Sequence, residues 1–211
     1  ASVLSTPVST TFCRMETDDL ELGRRLIHAS GGLFVLLYIF GLVTWKGLGA
    51  LAVFGIVVSG VLEFLRIFTD VADRIPVLEG VYGRLTRPYE NRSPAGYFYY
   101  MFSMTVAWLV FPPFAAVPGM LMLAFGDPLS GILSSTSSGE AKETWVLAAM
   151  FVFCFCVAFS YLYTSASFPT AEVVLLSAGG ALGATVSDGG KVEGRGFFLD
   201  DNLTIPLVSG L

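Results

Sequence analysis

The sequence predicts an all-α protein, a polytopic transmembrane helical bundle of about six spans with a short C-terminal apolar segment. Three observations carry this expectation. Of 211 residues, 54% are hydrophobic and 14% charged, and the mean hydropathy is +0.71; a soluble domain carries about 25% charged residues. Apolar runs recur at close to the length of about 20 residues that a helix needs to cross a bilayer. The few charges collect mostly between the runs rather than inside them. The same numbers exclude two other classes. The apolar content is far above that of disordered chains. A net charge of -5 and a pI near 4.8 offer no basic face to a phosphate backbone, so no nucleic-acid partner is expected.

Residues 1–20 read as a disordered N-terminal extension and residues 21–211 as a single integral membrane domain. Ala1 to Thr11 has no basic stretch leading into an apolar core and does not read as a cleavable signal peptide. A first span from about Leu26 to Trp45 and a second from about Leu48 to Phe68 are separated only by Lys46 and Gly47, which makes them a helical hairpin. A polar stretch from Thr69 to Pro94 precedes a third span, Ala95 to Phe111, which Pro112 and Pro113 end or kink. The fourth, Ala115 to Phe125, is long enough only if it extends through Ile132. It then carries Gly126, Asp127 and Pro128 near its inner end, the pattern of a broken helix whose unwound backbone faces protein or water. The fifth span runs from about Trp145 to Tyr163 and the sixth from about Pro169 to Ser187. Cys13, Cys154 and Cys156 have neither disulfide nor metal-ligand spacing.

Charge orients the bundle. Eleven of the 12 Lys and Arg residues, all but Lys46, fall on the side that holds both termini, which the positive-inside rule makes cytoplasmic. Sixteen of the 17 acidic residues, all but Glu172, fall on or near the same side. Carboxylates contribute little to orientation, so their excess has another origin: an ordinary solvated loop surface, or a site for a metal and a nucleotide.

Several residues on that side are candidates for chemistry. Glu63 and Arg66, three apart, share a helical face at a depth where ionisable groups turn inward. They read as a structural ion pair or as an arginine that reaches a phosphate. Arg25 and His28, the one histidine, share a face at the start of the first span. Arg24 and Arg25 also fit an interfacial topology signal, and His28 fits scaffolding or catalysis. Asp127, between Gly126 and Pro128, offers a hard oxygen to Mg2+, which usually keeps water and phosphate in its shell. The Gly- and Ser-rich segment that follows, closed by Lys142, is an ordinary connection or a loop whose N–H groups approach phosphate. In the tail, glycines alternate with Asp188, Lys191, Glu193 and Arg195 before Asp200, Asp201 and Asn202 lead into an apolar stretch. Adjacent carboxylates repel unless a cation or a helix N-terminus offsets them. The triplet therefore reads as a metal site, as the cap of a short final helix or interfacial segment starting at Leu203, or as both.

These motifs carry a resemblance. Asp-Asn-Leu-Thr-Ile-Pro at 201–206, with Gly126-Asp127 at the end of an earlier span, resembles the dolichol kinase and phytol kinase family of polyprenol kinases, grouped with the phosphatidate cytidylyltransferases in one membrane superfamily. Arg-Arg-Leu-Ile-His at 24–28 resembles that family's basic-plus-histidine start of the first helix, and Arg87 to Gly96 its Arg, Glu and small-residue lead into a following span. The resemblance covers about Arg24 to Leu207, and the length suits a minimal prokaryotic or archaeal member.

The resemblance implies a CTP-dependent lipid kinase that phosphorylates an isoprenoid alcohol, polyprenol- or dolichol-like, at the cytoplasmic membrane face, as a monomer or an oligomer. Mg2+ is the implied cofactor and CTP the phosphoryl donor. Asp127, Asp200 and Asp201 are the implied metal ligands, and Asp127, Asp201 and Asp188 the catalytic residues, with Asp188 or one of the adjacent pair accepting the hydroxyl proton. Gly126, Lys142, Lys191, Arg195, Asn202, Arg25 and Arg87 are the implied nucleotide contacts. After Lys142 the family's Glu-Gly-Ser stretch is replaced by Trp145, Val146 and Leu147. Two alternatives therefore stand beside the kinase: a cytidylyltransferase that makes a CDP-lipid from a lipid phosphate, and a non-catalytic relative.

Overall fold

The computed structural model describes residues 25, 28–69, 74–86, 90, 93–134, 142–189, 193–194, 197–198 and 201–210. The stretch 1–20, expected as an extension, lies outside them. The described helices are α1 (His28–Ile39), α2 (Trp45–Phe68), α3 (Pro76–Leu85), α4 (Gly96–Val110), α5 (Pro113–Leu133), α6 (Thr144–Ser165), α7 (Thr170–Gly189) and α8 (Asp201–Ser209). Strand pairing among the described residues is confined to a two-residue antiparallel ladder, Glu193–Gly194 with Phe197–Phe198.

Among the described residues four helices, α2, α5, α6 and α7, are long and apolar enough to cross a membrane. The 24 residues of α2 extend about 36 Å at 1.5 Å each, against a hydrocarbon core of about 30 Å. The described part of α1 and the whole of α4, both expected as full spans, are shorter. α4 has 15 residues because Pro112 and Pro113 follow it directly, and Phe111 is already extended, with ψ 146°. The α1–α2 hairpin turns at Gly41, whose φ of +73° is a conformation that side chains disfavour. Thr44 then caps α2 by accepting a hydrogen bond from Gly47 N at 3.1 Å. Trp45, Lys46 and Gly47 therefore belong to the first turn of α2 rather than to the preceding helix and a link.

α5 is the central helix. Of its membrane-length segment 67% is buried, against 22% to 33% for the other three. Its expected break is instead a widened turn: Met122–Gly126 is a π turn, and Asp127 N bonds Met122 O, five residues back. Pro128 supplies the reason. It has no N–H, and in a regular helix its ring collides with the carbonyl four residues earlier; a π turn re-aims that carbonyl. The chain stays helical through Leu133, with no unwound segment.

α8 starts at Asp201, two residues before the expected position, and is inserted between α4, α5 and α7 rather than laid on the interface. Ile205 and Pro206 are completely buried. Side chains are absent where its backbone passes: a Cβ on Gly119 would stand 3.0 Å from Pro206 O, and Cβ atoms on Gly180 and Gly183 would stand 3.1 Å from Ser209 O and Val208 O.

The end of the bundle that holds Lys46 and Glu172, opposite the other described charges, is aromatic. Trp108 Nε1 donates to Trp45 O at 3.0 Å, and Tyr38, Trp45 and Trp108 follow one another at ring separations of 5.4 and 6.3 Å. Tryptophan and tyrosine favour the membrane–water boundary, where one end of the ring is apolar and the other wet. A cavity of about 490 Å³ opens at this end between Tyr38, Pro113, Phe114, Tyr161 and Phe168, at the opposite end from Asp127, Lys142 and Asp188.

Candidate functional site

The charged end is assembled from the start of α1, the end of α2, the start of α4, the end of α5, the start of α6, the end of α7 and the head of α8. Contacts between named residues tie these ends together. α1 runs antiparallel to α5. Arg25, His28 and Gly32 meet Gly131, Asp127 and Ala124 in turn, with His28 Nδ1 3.8 Å from Asp127 Oδ2. Gly131 is the seat of the Arg25 guanidinium: a Cβ there would stand 3.0 Å from Nε. Gly131 lies four residues after Asp127, so both occupy one face of α5 and the arginine is held one turn from the carboxylate. His28 also packs its ring 4.5 Å from that of Tyr100, whose hydroxyl donates to His28 O at 3.0 Å.

One turn before Tyr100, Gly96 N donates to Glu90 Oε1 at 3.3 Å, and Asn202 Nδ2 fills the space where a Gly96 side chain would project, 3.2 Å from an ideal Cβ. Glu90 and Asn202 are both buried. The first turn of α4 thus joins the head of α8 to the His28–Asp127 face of α1 and α5.

The lead into α4 is fixed from α2. Arg66 Nη2 donates to Glu63 Oε2 at 2.6 Å and to Ser93 O at 2.7 Å, and Nη1 to Glu90 O at 3.0 Å. Glu63 Oε2 accepts from Ala95 N at 3.3 Å. Of the two readings of this pair, the ion pair is the one formed, and the guanidinium is spent on backbone carbonyls. Tyr82 of α3 donates its hydroxyl to Leu62 O at 2.8 Å. Burial, and next the Glu63 carboxylate, push this phenol above its usual range, so it remains a donor.

Lys142 and Asp188 are engaged with each other. Lys142 Nζ donates to Asp188 Oδ1 at 2.6 Å and to Ser130 Oγ at 2.8 Å, while Ser130 Oγ donates to Asp127 O at 3.0 Å. The chain of contacts locks the last turns of α5 to the end of α7. Gly126, in the π turn, is buried against α6, where a Cβ would meet Cys154 Sγ at 3.1 Å.

Arg25, Gly126, Asp127, Lys142, Asp188 and Asn202, all candidates from the sequence, thus stand at one end of the bundle. Asp201 opens α8, which packs on the π turn, and its side chain lies outside the described atoms. Arg87, Lys191, Arg195 and Asp200 lie outside the described residues. Among the described residues no group of three or more His, Cys, Asp and Glu side chains is placed to hold a metal. Sequence reasoning missed Tyr100 and Ser130. Both sit in apolar runs, and the available signals were their helical spacings of four from Gly96 and three from Asp127. No known protein family, curated protein or solved structure matches the chain.

Proposed function

We propose that the protein is a CTP-dependent lipid kinase that transfers phosphate to an isoprenoid alcohol at the charged end of the bundle. One observation carries the reading: Asp127 on α5 and the Asp201-Asn202 head of α8, 74 residues apart in sequence, stand at the same end of the bundle, with α8 packed on the π turn that precedes Asp127. In this reading α1 and α4 are embedded with the four longer helices to give six spans. The positive-inside rule puts the charged end and both termini in the cytoplasm.

Phosphoryl transfer asks for positioning and charge neutralisation more than for covalent help. Mg2+ takes one or two carboxylates and completes its shell with water and phosphate, so Asp127 with Asp200 or Asp201 is a sufficient protein donor set. When bound it would neutralise phosphate charge. The lipid hydroxyl oxygen attacks the γ-phosphorus, the bond from that phosphorus to the β–γ bridging oxygen breaks, and CDP leaves. The hydroxyl proton passes to a carboxylate of the 200–201 pair, because Asp188 is already buried against Lys142. Arg25, held over Gly131, adds positive charge one turn from Asp127. Asn202, Arg87, Lys191 and Arg195 complete the nucleotide contacts, whereas Gly126 is buried against Cys154 and serves the packing of α5 on α6.

The test is product identity. Purified protein with γ-labelled CTP, Mg2+ and a panel of isoprenoid alcohols and lipid phosphates is expected to yield labelled lipid monophosphate. A CDP-lipid with release of pyrophosphate identifies a cytidylyltransferase. No product, together with no thermal shift on adding CTP and Mg2+, identifies a non-catalytic relative.

A further inference from the structure

Helix α3 has no part in the proposed reaction. It is ten residues long, about 15 Å, half the hydrocarbon thickness, and cannot span. Its sequence is nonetheless two-faced. At 100° per residue, Val77, Val81, Leu85, Leu78 and Tyr82 fall within an arc of about 140°, and positions 79, 80, 83 and 84 occupy the other side. Tyr82, at one edge of the apolar arc, is buried against α2. Val77, at the other edge, is 73% exposed, and Ile75 just before the helix is 42% exposed.

The hydrogen bond from Tyr82 to Leu62 O fixes the level of α3 along α2. Leu62 is six residues before the end of α2, about 9 Å below its last turn. Interfacial helices bury their apolar face about 5–10 Å into the boundary between headgroups and acyl chains. The same stretch of α2 turns Phe64 and Phe68 outward, with rings 5.4 Å apart. These belong to the outward face of a helix long and apolar enough to cross a membrane.

We infer that α3 is an interfacial anchor: it lies along the membrane surface, one edge of its apolar arc on α2 and the other, at Val77 and Val81, in the lipid of the same leaflet. The partner is the bilayer itself, continuous with the lipid around Phe64 and Phe68. The anchor holds Thr86, which ends α3, at the level of the headgroups. Gly80 and Gly83, with open space where a side chain would project, face away from the lipid.

Spin labels at Val77→Cys and Gly83→Cys test this in the full chain with Cys13→Ser and Cys156→Ser, reconstituted in phosphatidylcholine–phosphatidylglycerol vesicles. Cys154 is buried and stays unlabelled. Collisions with apolar oxygen and with a water-soluble nickel chelate are compared. The expected ratio of oxygen to nickel collisions is several-fold higher at position 77 than at 83. Equal ratios, with both labels open to nickel, mean that α3 stands in water and overturn the inference. Protection of position 77 from both reagents means that protein rather than lipid covers it, which overturns it equally.

Discussion

Replacing Asp188 by asparagine removes one charge and almost no volume from the junction of α5, α6 and α7. Lys142 Nζ reaches Asp188 Oδ1 at 2.6 Å and Ser130 Oγ at 2.8 Å; the Asp188 side chain is fully buried and that of Lys142 is 15% exposed. Breaking a buried pair by removing one partner costs about 3–5 kcal/mol, because the remaining charge keeps its desolvation penalty. Partial exposure of Lys142 lets water reach the ammonium, so the low end applies, about 3 kcal/mol or about two decades in the unfolding equilibrium. Reversible unfolding by increasing SDS fraction in mixed lipid–detergent micelles, followed by circular dichroism, measures the loss. The double variant Lys142→Met/Asp188→Leu leaves no buried charge and is expected to recover most of it. An Asp188→Asn protein within about 0.5 kcal/mol of wild type, or a double variant as unstable as the sum of its singles, refutes the reasoning.

Three further outcomes are expected. Gly183→Val puts a side chain against Val208 O, 3.1 Å from the ideal Cβ, and should cost about 1–3 kcal/mol and accelerate hydrogen exchange in α8; unchanged exchange there contradicts the insertion. Arg66→Lys loses the planar fork shared by Glu63, Glu90 O and Ser93 O, and should cost about 2 kcal/mol in the same unfolding assay, with faster exchange at the start of α4. Gly49→Ala collides with the Trp108 ring and breaks its 3.0 Å bond to Trp45 O; the expected readout is a shifted tryptophan emission, and a spectrum identical to wild type rejects that packing.

Features set by neighbours in sequence were legible; features set across the bundle were not. Glu63 and Arg66 are three apart, and a helix fixes such a pair on one face, so the ion pair was among the readings. Pro112 and Pro113 marked the end of α4 because proline restricts the residue before it. Pro128 signalled a disturbed helix. Whether the backbone unwinds or widens depends on the wall around it, here Cys154 of α6 against Gly126, and no local pattern records that. Lys142, expected at the nucleotide, and Asp188, expected as a catalytic carboxylate, show no relation in the sequence because 46 residues lie between them. The burial of α8 was hidden for the same reason. A short apolar segment after a polar stretch reads alike whether it lies on the interface or enters the bundle, and the glycines that admit it, Gly119, Gly180 and Gly183, sit on two other helices.

The most direct test compares wild-type, Asp127→Asn and Asp201→Asn proteins in transfer of label from γ-labelled CTP to an isoprenoid alcohol, with each variant first shown to unfold like wild type. Labelled lipid monophosphate from the wild type and a loss of about 100-fold or more in both variants is the expected result. Wild-type turnover in both variants at wild-type stability would contradict the assignment of the reaction to the charged end of the bundle.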